Sequence, residues 1–460
     1  MLPDVALLTI FDFYVHEELG HFGDPLEAWY TLVHVCREWR NLVFGSRRRL
    51  NLRLLCTYIT SVKKMLDIWP PLPLILRSDG ESEAIWDVDN IVAALEHNDR
   101  VHELSFFGFS SSLLEDVLTK LQQPFPALTH LVLQYGNDSM LVDPDSFLGG
   151  SAPSLRSLLL DSIPFPGLLK LLLSTTHLAD LRLWNISHSG YISSEAMVTA
   201  LSTLTSLERL WLEFESPIYP DQKSPHPPLL TRAILPALTE LLFSGVGEYL
   251  EDLVARIDAP LLHDLDITFF HQPMFDTPQL AQFISRTPKF RAHDELHVDL
   301  SDRKVSVTLT QASDQRVHLQ VICRPPHQLL SLAQVCSSSF PCAFISAVKY
   351  LYIEGRYWRK GDIKRSRWLE FFQPLAFTAV KGLYLSQQLA SSIVLALQKL
   401  TGERVTEVLP SLETLFLETF PSGPVEDAIV RFVAARQLAG HSIAISHWTP
   451  GKDVRDEFED

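Results

Sequence analysis

PALTHLVL (126–133), PSLRSLLL (153–160) and PALTELLF (236–243) are three copies of one pattern, a proline followed by L-x-x-L-x-L. With other apolar residues allowed, the same six-residue core occurs as VHELSF at 101, LADLRL at 178, LERLWL at 207 and LHDLDI at 262. It returns as VKYLYI at 348, VKGLYL at 380 and LETLFL at 412. Successive starts are mostly 23 to 32 residues apart, the length in which one short strand and one helix make a turn of a solenoid. Proline stands two residues before the first leucine at Pro126, Pro153, Pro236, Pro260 and Pro410. There it ends the preceding helix and pushes its neighbour toward extended backbone, which a helix-to-strand corner requires. Between these segments lie helix-like stretches, among them 111–121, 251–257, 278–285 and 425–438. The fold class that follows is α/β, a solenoid with a curved parallel sheet.

The interval from 262 to 348 is too long for one turn. Within it KVSVTLT and VHLQVI alternate apolar and polar residues across QASDQ, which predicts a β-hairpin near 300–323. WPPLPL at 69 and HSIAI at 441 are the expected end strands.

Composition narrows the function. The chain is 46% hydrophobic and 20% charged, the make-up of a folded protein with a large core. A formal charge of −16 repels a phosphate backbone and argues against nucleic acid as a partner. Five scattered cysteines without a C-x-x-C pair fit a reducing, intracellular setting, cytoplasm or nucleus, rather than a zinc or disulfide framework. The apolar start carries Asp4 and Asp12 and no basic lead, unlike a signal peptide, and no apolar run is long enough for a membrane span. HEELGH at 16–21 spaces its histidines five apart, where a zinc helix needs four, and P-loop, G-x-S-x-G and dinucleotide glycine motifs are missing. Neither cofactor, metal nor catalysis is expected.

The N-terminal segment reads differently. In LVHVCREWRNLVF (32–44) and just before it, Trp29, Leu32, Cys36, Trp39 and Val43 fall on a single helical face. Upstream, LPDVALLTIF sets Pro3 and Asp4 at a helix start. The order Leu-Pro, L-L-x-I-F, V-C-R-x-W-R resembles the F-box, a small all-α module that docks on the Skp adaptor of cullin-based ubiquitin ligases. The matching residues are Leu2, Pro3, Leu7, Leu8, Ile10, Phe11, Val35, Cys36, Arg37, Trp39 and Arg40. The L-x-x-L-x-L series resembles leucine-rich repeats, although the asparagine that usually follows the strand has a lone candidate in Asn185. Together the two halves resemble the F-box-like leucine-rich-repeat proteins abundant in fungi. The resemblance implies a module over 1–55, repeats over 56–445 and an acidic tail over 446–460. It further implies an adaptor-binding substrate receptor of a ubiquitin ligase that catalyses nothing itself. Residues 37–64 hold eight Lys or Arg against Glu38 alone, complementary to the acidic adaptor of that family. A scaffold whose helical start only caps the solenoid is the alternative.

Target binding would fall to the concave sheet face. Alternation along the strands puts Phe107, Trp184, Trp211, Tyr350, Tyr352, Tyr384 and Phe416 there. The same positions hold Glu103, Asp161, Asp180, Glu213, Glu240, Asp264, Asp266, Glu295, Asp299, Glu354 and Glu418 against Arg182 and Arg209, which suits a basic target. A separate cationic and aromatic run after 354, including Arg356, Trp358, Arg359 and Lys360, has the chemistry to read a phosphorylated or acidic motif, or to pair with the chain's own acidic face.

Overall fold

The structure is a computed structural model that describes residues 2–18, 25–56, 62–68, 71–77, 88–109, 111–135, 147–163, 167–217, 232–270, 275–290, 293–310, 315–355, 366–375, 377–400, 402–420 and 422–449. It divides into two compact units, Met1–Tyr191 and Ile192–Asp460. Both are mixed α/β with mostly parallel strands.

The first unit opens with three helices, α1 (Asp4–Glu18), α2 (Pro25–Val35) and α3 (Arg37–Gly45). The single helical face expected over 29–43 is interrupted, because Cys36 takes extended backbone (φ −157°, ψ 169°) and caps α3. Its Sγ accepts the Trp39 N–H at 3.4 Å, satisfying one of the donors a helix start leaves open. The segment then becomes a parallel sheet: β1 (Leu54–Cys56), β2 (Leu74–Arg77), β3 (Val101–Phe109), β4 (His130–Tyr135), β5 (Ser157–Asp161) and β6 (Asp180–Ile186), neighbours in chain order. Helices such as Ser111–Lys120 and Leu168–Ser174 make the crossovers. A repeated bond fixes the register one residue before each strand: Thr129 N–H donates to the His102 carbonyl, Arg156 to Thr129 and Ala179 to Arg156, each at 2.8 Å.

In the second unit the strands are β7 (Arg209–Phe214), β8 (Ala233–Ile234), β9 (Glu240–Gly245), β10 (Ile257–Asp258) and β11 (Asp264–Phe269). They continue as β12 (Glu295–Leu300), β13 (Lys304–Thr310), β14 (Arg316–Ile322), β15 (Tyr350–Gly355), β16 (Gly382–Leu385), β17 (Thr414–Leu417) and β18 (Ala444–His447). Short β8 and β10 pair apart. The main order is β7-β9-β11-β14-β13-β12-β15-β16-β17-β18. The expected hairpin is present as antiparallel β13 and β14, its turn at 311–314 lying outside the described residues. It belongs to a three-stranded meander built into the sheet: β12 runs antiparallel to β13 and parallel to β15, and β14 returns parallel to β11. The long interval between pattern segments is the length of this detour.

In β7, Leu210, Leu212 and Phe214 are buried while Arg209, Trp211 and Glu213 are half-buried, and β11 and β12 alternate in the same way. The buried set forms the core with helix residues such as Leu250, Leu253, Phe283 and Ile284. Corners between helix and strand are held by arginines rather than asparagines. Arg100 donates through Nε and Nη2 to the Leu72 carbonyl (3.1 and 2.9 Å). Arg286 donates to the carbonyls of Val254 and Ile257 and pairs with Asp258. Arg436, wholly buried, donates to the carbonyls of Val405, Leu409, Pro410 and Leu412 at 3.1 to 3.3 Å. Among the described residues no helix is long and apolar enough to cross a membrane.

Candidate docking surfaces

Helix α1 is apolar on two sides. Leu8 and Phe11 turn inward, where Phe11 meets the Trp39 ring at 4.8 Å and the core is completed by Trp29, Leu32, Val33 and Val43. Val5, Ile10 and Phe13 turn outward and are 68, 50 and 71% exposed, with Leu2 just before the helix at 57%. Val35, closing α2, is 56% exposed beside a groove that Tyr30, Thr31 and His34 also line. A second groove is lined by Asp4, Arg37, Glu38, Asn41 and Leu42. The eleven residues singled out from sequence therefore divide: Leu8 and Phe11 are core, Leu7 and Trp39 are half-buried, and Leu2, Pro3, Ile10, Val35, Cys36, Arg37 and Arg40 are surface. Val5, Phe13 and Tyr14 escaped the reading by motif, although an apolar run broader than one helical stripe signals a second apolar face.

Four of the eight cationic residues over 37–64 are engaged within their own unit. Arg40 Nε donates to the Val33 carbonyl at 2.9 Å, Arg47 to the Pro71 carbonyl at 3.1 Å and Arg49 to the Thr9 hydroxyl at 3.1 Å. Arg53 pairs with Glu103, which also holds Arg77 at 3.3 Å. The guanidinium groups of Arg37 and Arg48 have no hydrogen-bond partner among the described residues.

On the sheet of the first unit Phe107 and Trp184 are half-buried. Asp161 and Asp180, expected to face outward, are buried: Asp161 accepts from Asn185 Nδ2 (2.7 Å) and Ser162 Oγ (3.0 Å), and Asp180 holds Arg182 by two bonds of 2.9 and 3.0 Å. Ser162, just after β5, and Asn185, inside β6, both take positive φ (60° and 48°).

In the second unit, register brings His297, Tyr352, Tyr384 and Phe416 into one row across β12, β15, β16 and β17. Their rings stack face to face at 4.2, 4.1 and 4.2 Å, within 3°, 17° and 1° of parallel. Trp448 closes over them, edge-on to Tyr384 (5.5 Å, 84°), and its Nε1 donates to the Leu385 carbonyl at 3.3 Å. Tyr384 and Phe416 are consequently buried, while Tyr350 and Tyr352 remain half-buried and Trp211 sits at the far end of the same row. Faces consumed by neighbours cannot serve as cation platforms; what the row offers outward is ring edges and hydroxyls. Next to it lies a polar stretch. Arg316 holds Asp264 by two bonds of 3.0 Å, and His318 Nδ1 meets Thr308 Oγ1 at 2.7 Å. Burial pushes the Asp266 carboxyl up and the His318 imidazole down, each softened by the other's charge.

Arg356, Trp358, Arg359, Lys360, both HEELGH histidine side chains and the tail from 450 lie outside the described residues. No three His, Cys, Asp or Glu side chains among the described residues are grouped to hold a metal. The chain matches no protein-family model and no curated protein.

Proposed function

We propose that this chain is the substrate-recognition subunit of a Skp-cullin-F-box type ubiquitin ligase, its three N-terminal helices forming an F-box-like module and its strands a leucine-rich-repeat solenoid. The observation that carries the reading is α1, which seats Leu8 and Phe11 in the module's core while holding Leu2, Val5, Ile10 and Phe13 outward. A cap needs one apolar face; two imply a partner on the second. The adaptor would cover that stripe together with Val35, and the repeats would present a target on the sheet face opposite the helices. The chain contributes position rather than chemistry, raising the effective concentration of a target lysine near the ligase.

The alternative, a repeat scaffold with the helices as a cap, draws on the arginines that tie the module to the first strands through Pro71 and Glu103. Co-purification with the Skp adaptor separates the two. Adaptor capture by the folded chain is expected; a folded chain that captures none overturns the ligase reading and leaves the scaffold.

A further inference from the structure

The C-terminal strand is held unlike its neighbours. The helix Pro424–Leu438 before it is pinned by Arg436, whose guanidinium reaches four carbonyls. Gly440 then ends the helix at φ +86°, its N–H and that of His441 donating to the Gln437 and Arg436 carbonyls at 3.0 and 2.9 Å, so the helix is closed off before the strand begins. Ile443 is buried, but in β18 itself Ala444, Ile445 and His447 are exposed and Ser446 half-buried. The strand is paired on one side only among the described residues, with β17. Its best-buried group lies at its far end. Trp448 is 5% exposed, and the surface that buries it is the Tyr352–Tyr384–Phe416 stack, on the face read above as the target surface.

A pinned and capped helix, a thinly held edge strand and an indole seated on aromatic rings together make a closure that opens without disturbing the core. An edge strand with few buried side chains opens at lower cost than the strands inside. We propose that Ala444–Trp448 is a detachable latch: paired, it puts the chain's own indole on the aromatic stack; peeled from Thr414–Leu417, it bares that stack as a seat for an aromatic side chain of the target. The latch rests on the reading of this face as the target surface, but not on the adaptor, so adaptor capture that fails while the latch opens would sink only the ligase assignment.

Hydrogen exchange on the unaltered full chain tests the opening. The Ala444 and Trp448 amides, bonded to the Glu413 and Leu417 carbonyls, should exchange at least about tenfold faster than the amides of β16. Equal protection would mean that the strand opens only with the whole unit and would overturn the latch. Trp448→Ala tests the seat. Free indole should raise the melting temperature of this variant saturably and leave that of the unaltered chain unchanged. A folded Trp448→Ala protein that ignores indole overturns the aromatic seat, and if that variant does not fold, indole protection of the Tyr384 amide in a Trp448→Leu chain gives the same decision.

Discussion

Tyr384 and Phe416, on adjacent parallel strands, stack with centroids 4.2 Å apart and planes 1° from parallel, and Gly382 beneath them is what leaves room. A Cβ on Gly382 would stand 3.0 Å from Tyr350 Cδ1 and 3.1 Å from Tyr384 Cε2. Overpacking of this kind typically costs ~1–3 kcal/mol. Gly382→Ala should therefore lower the urea midpoint of the second unit and weaken its aromatic circular dichroism. A midpoint shift worth less than about 0.5 kcal/mol would show that the stack is pliable.

Arg436 carries a charge into the interior with backbone carbonyls as its only partners among the described residues, and burial pulls its pKa down from the usual arginine value. Arg436→Met fills similar space but strands the carbonyls of Val405 and Leu412, at ~1–3 kcal/mol for each buried group left unmet, while the Leu409 carbonyl keeps the Leu412 N–H at 3.1 Å. Arg436→Lys restores fewer bonds. Loss of thermal stability should rank Met above Lys, both measurable by calorimetry; equal stability of all three proteins would show that the corner does not need the clamp.

Much of this architecture was legible because it is local. Each of the ten pattern segments contains a strand, since alternation at Leu131 and Leu133, or Leu210 and Leu212, decides which face is buried whatever the neighbour. ELHVDL escaped the pattern: it alternates, but no proline corner or first leucine precedes Leu296. Its place beside β15 could not be read at all, because pairing His297 with Tyr352 depends on a detour whose return strand is set by β11. The candidate surface suffered for the same reason. Tyr384 and Phe416 occupy outward positions as expected, yet the residue that covers them, Trp448, comes from the far end of the chain. Cys36 was legible as part of a helical face but not as a cap, since that depends on the backbone turning extended at one residue.

His293 leads into β12 at 5% exposure, its ring stacked on Phe344 (6.2 Å, 17°) and edge-on to Phe290, with neither nitrogen hydrogen-bonded. Burial lowers its pKa to about 4, the Asp294 charge opposing only in part. The neutral form is the folded form. Between the ordinary histidine value of ~6.5 and about 4 the unfolded chain binds a proton that the folded chain does not, so stability falls as pH drops through that window. The loss reaches about 3 kcal/mol by pH 4. His293→Phe keeps the ring contacts and removes the proton; its melting temperature should decline less between pH 6.5 and 4 than that of the unaltered chain. Identical slopes would place the acid sensitivity elsewhere.

The two faces of α1 make opposite demands on substitution, which lets folding and docking be measured apart. Leu8→Ala opens a cavity in the three-helix core and should cost ~2–5 kcal/mol, so any loss of adaptor capture there is ambiguous. Ile10→Asp with Phe13→Asp alters side chains that are 50 and 71% exposed, and stability should move by less than about 0.5 kcal/mol. If the stripe is the adaptor's seat, this pair should weaken adaptor capture at least tenfold, roughly the 1.4 kcal/mol that separates an anchor from a bystander. Because Arg40, Arg47, Arg49 and Arg53 are already engaged within the unit, raising salt should weaken capture far less than these two substitutions do. A stable double variant that still binds would move the docking surface away from α1, and steep salt dependence would return it to Arg37 and Arg48.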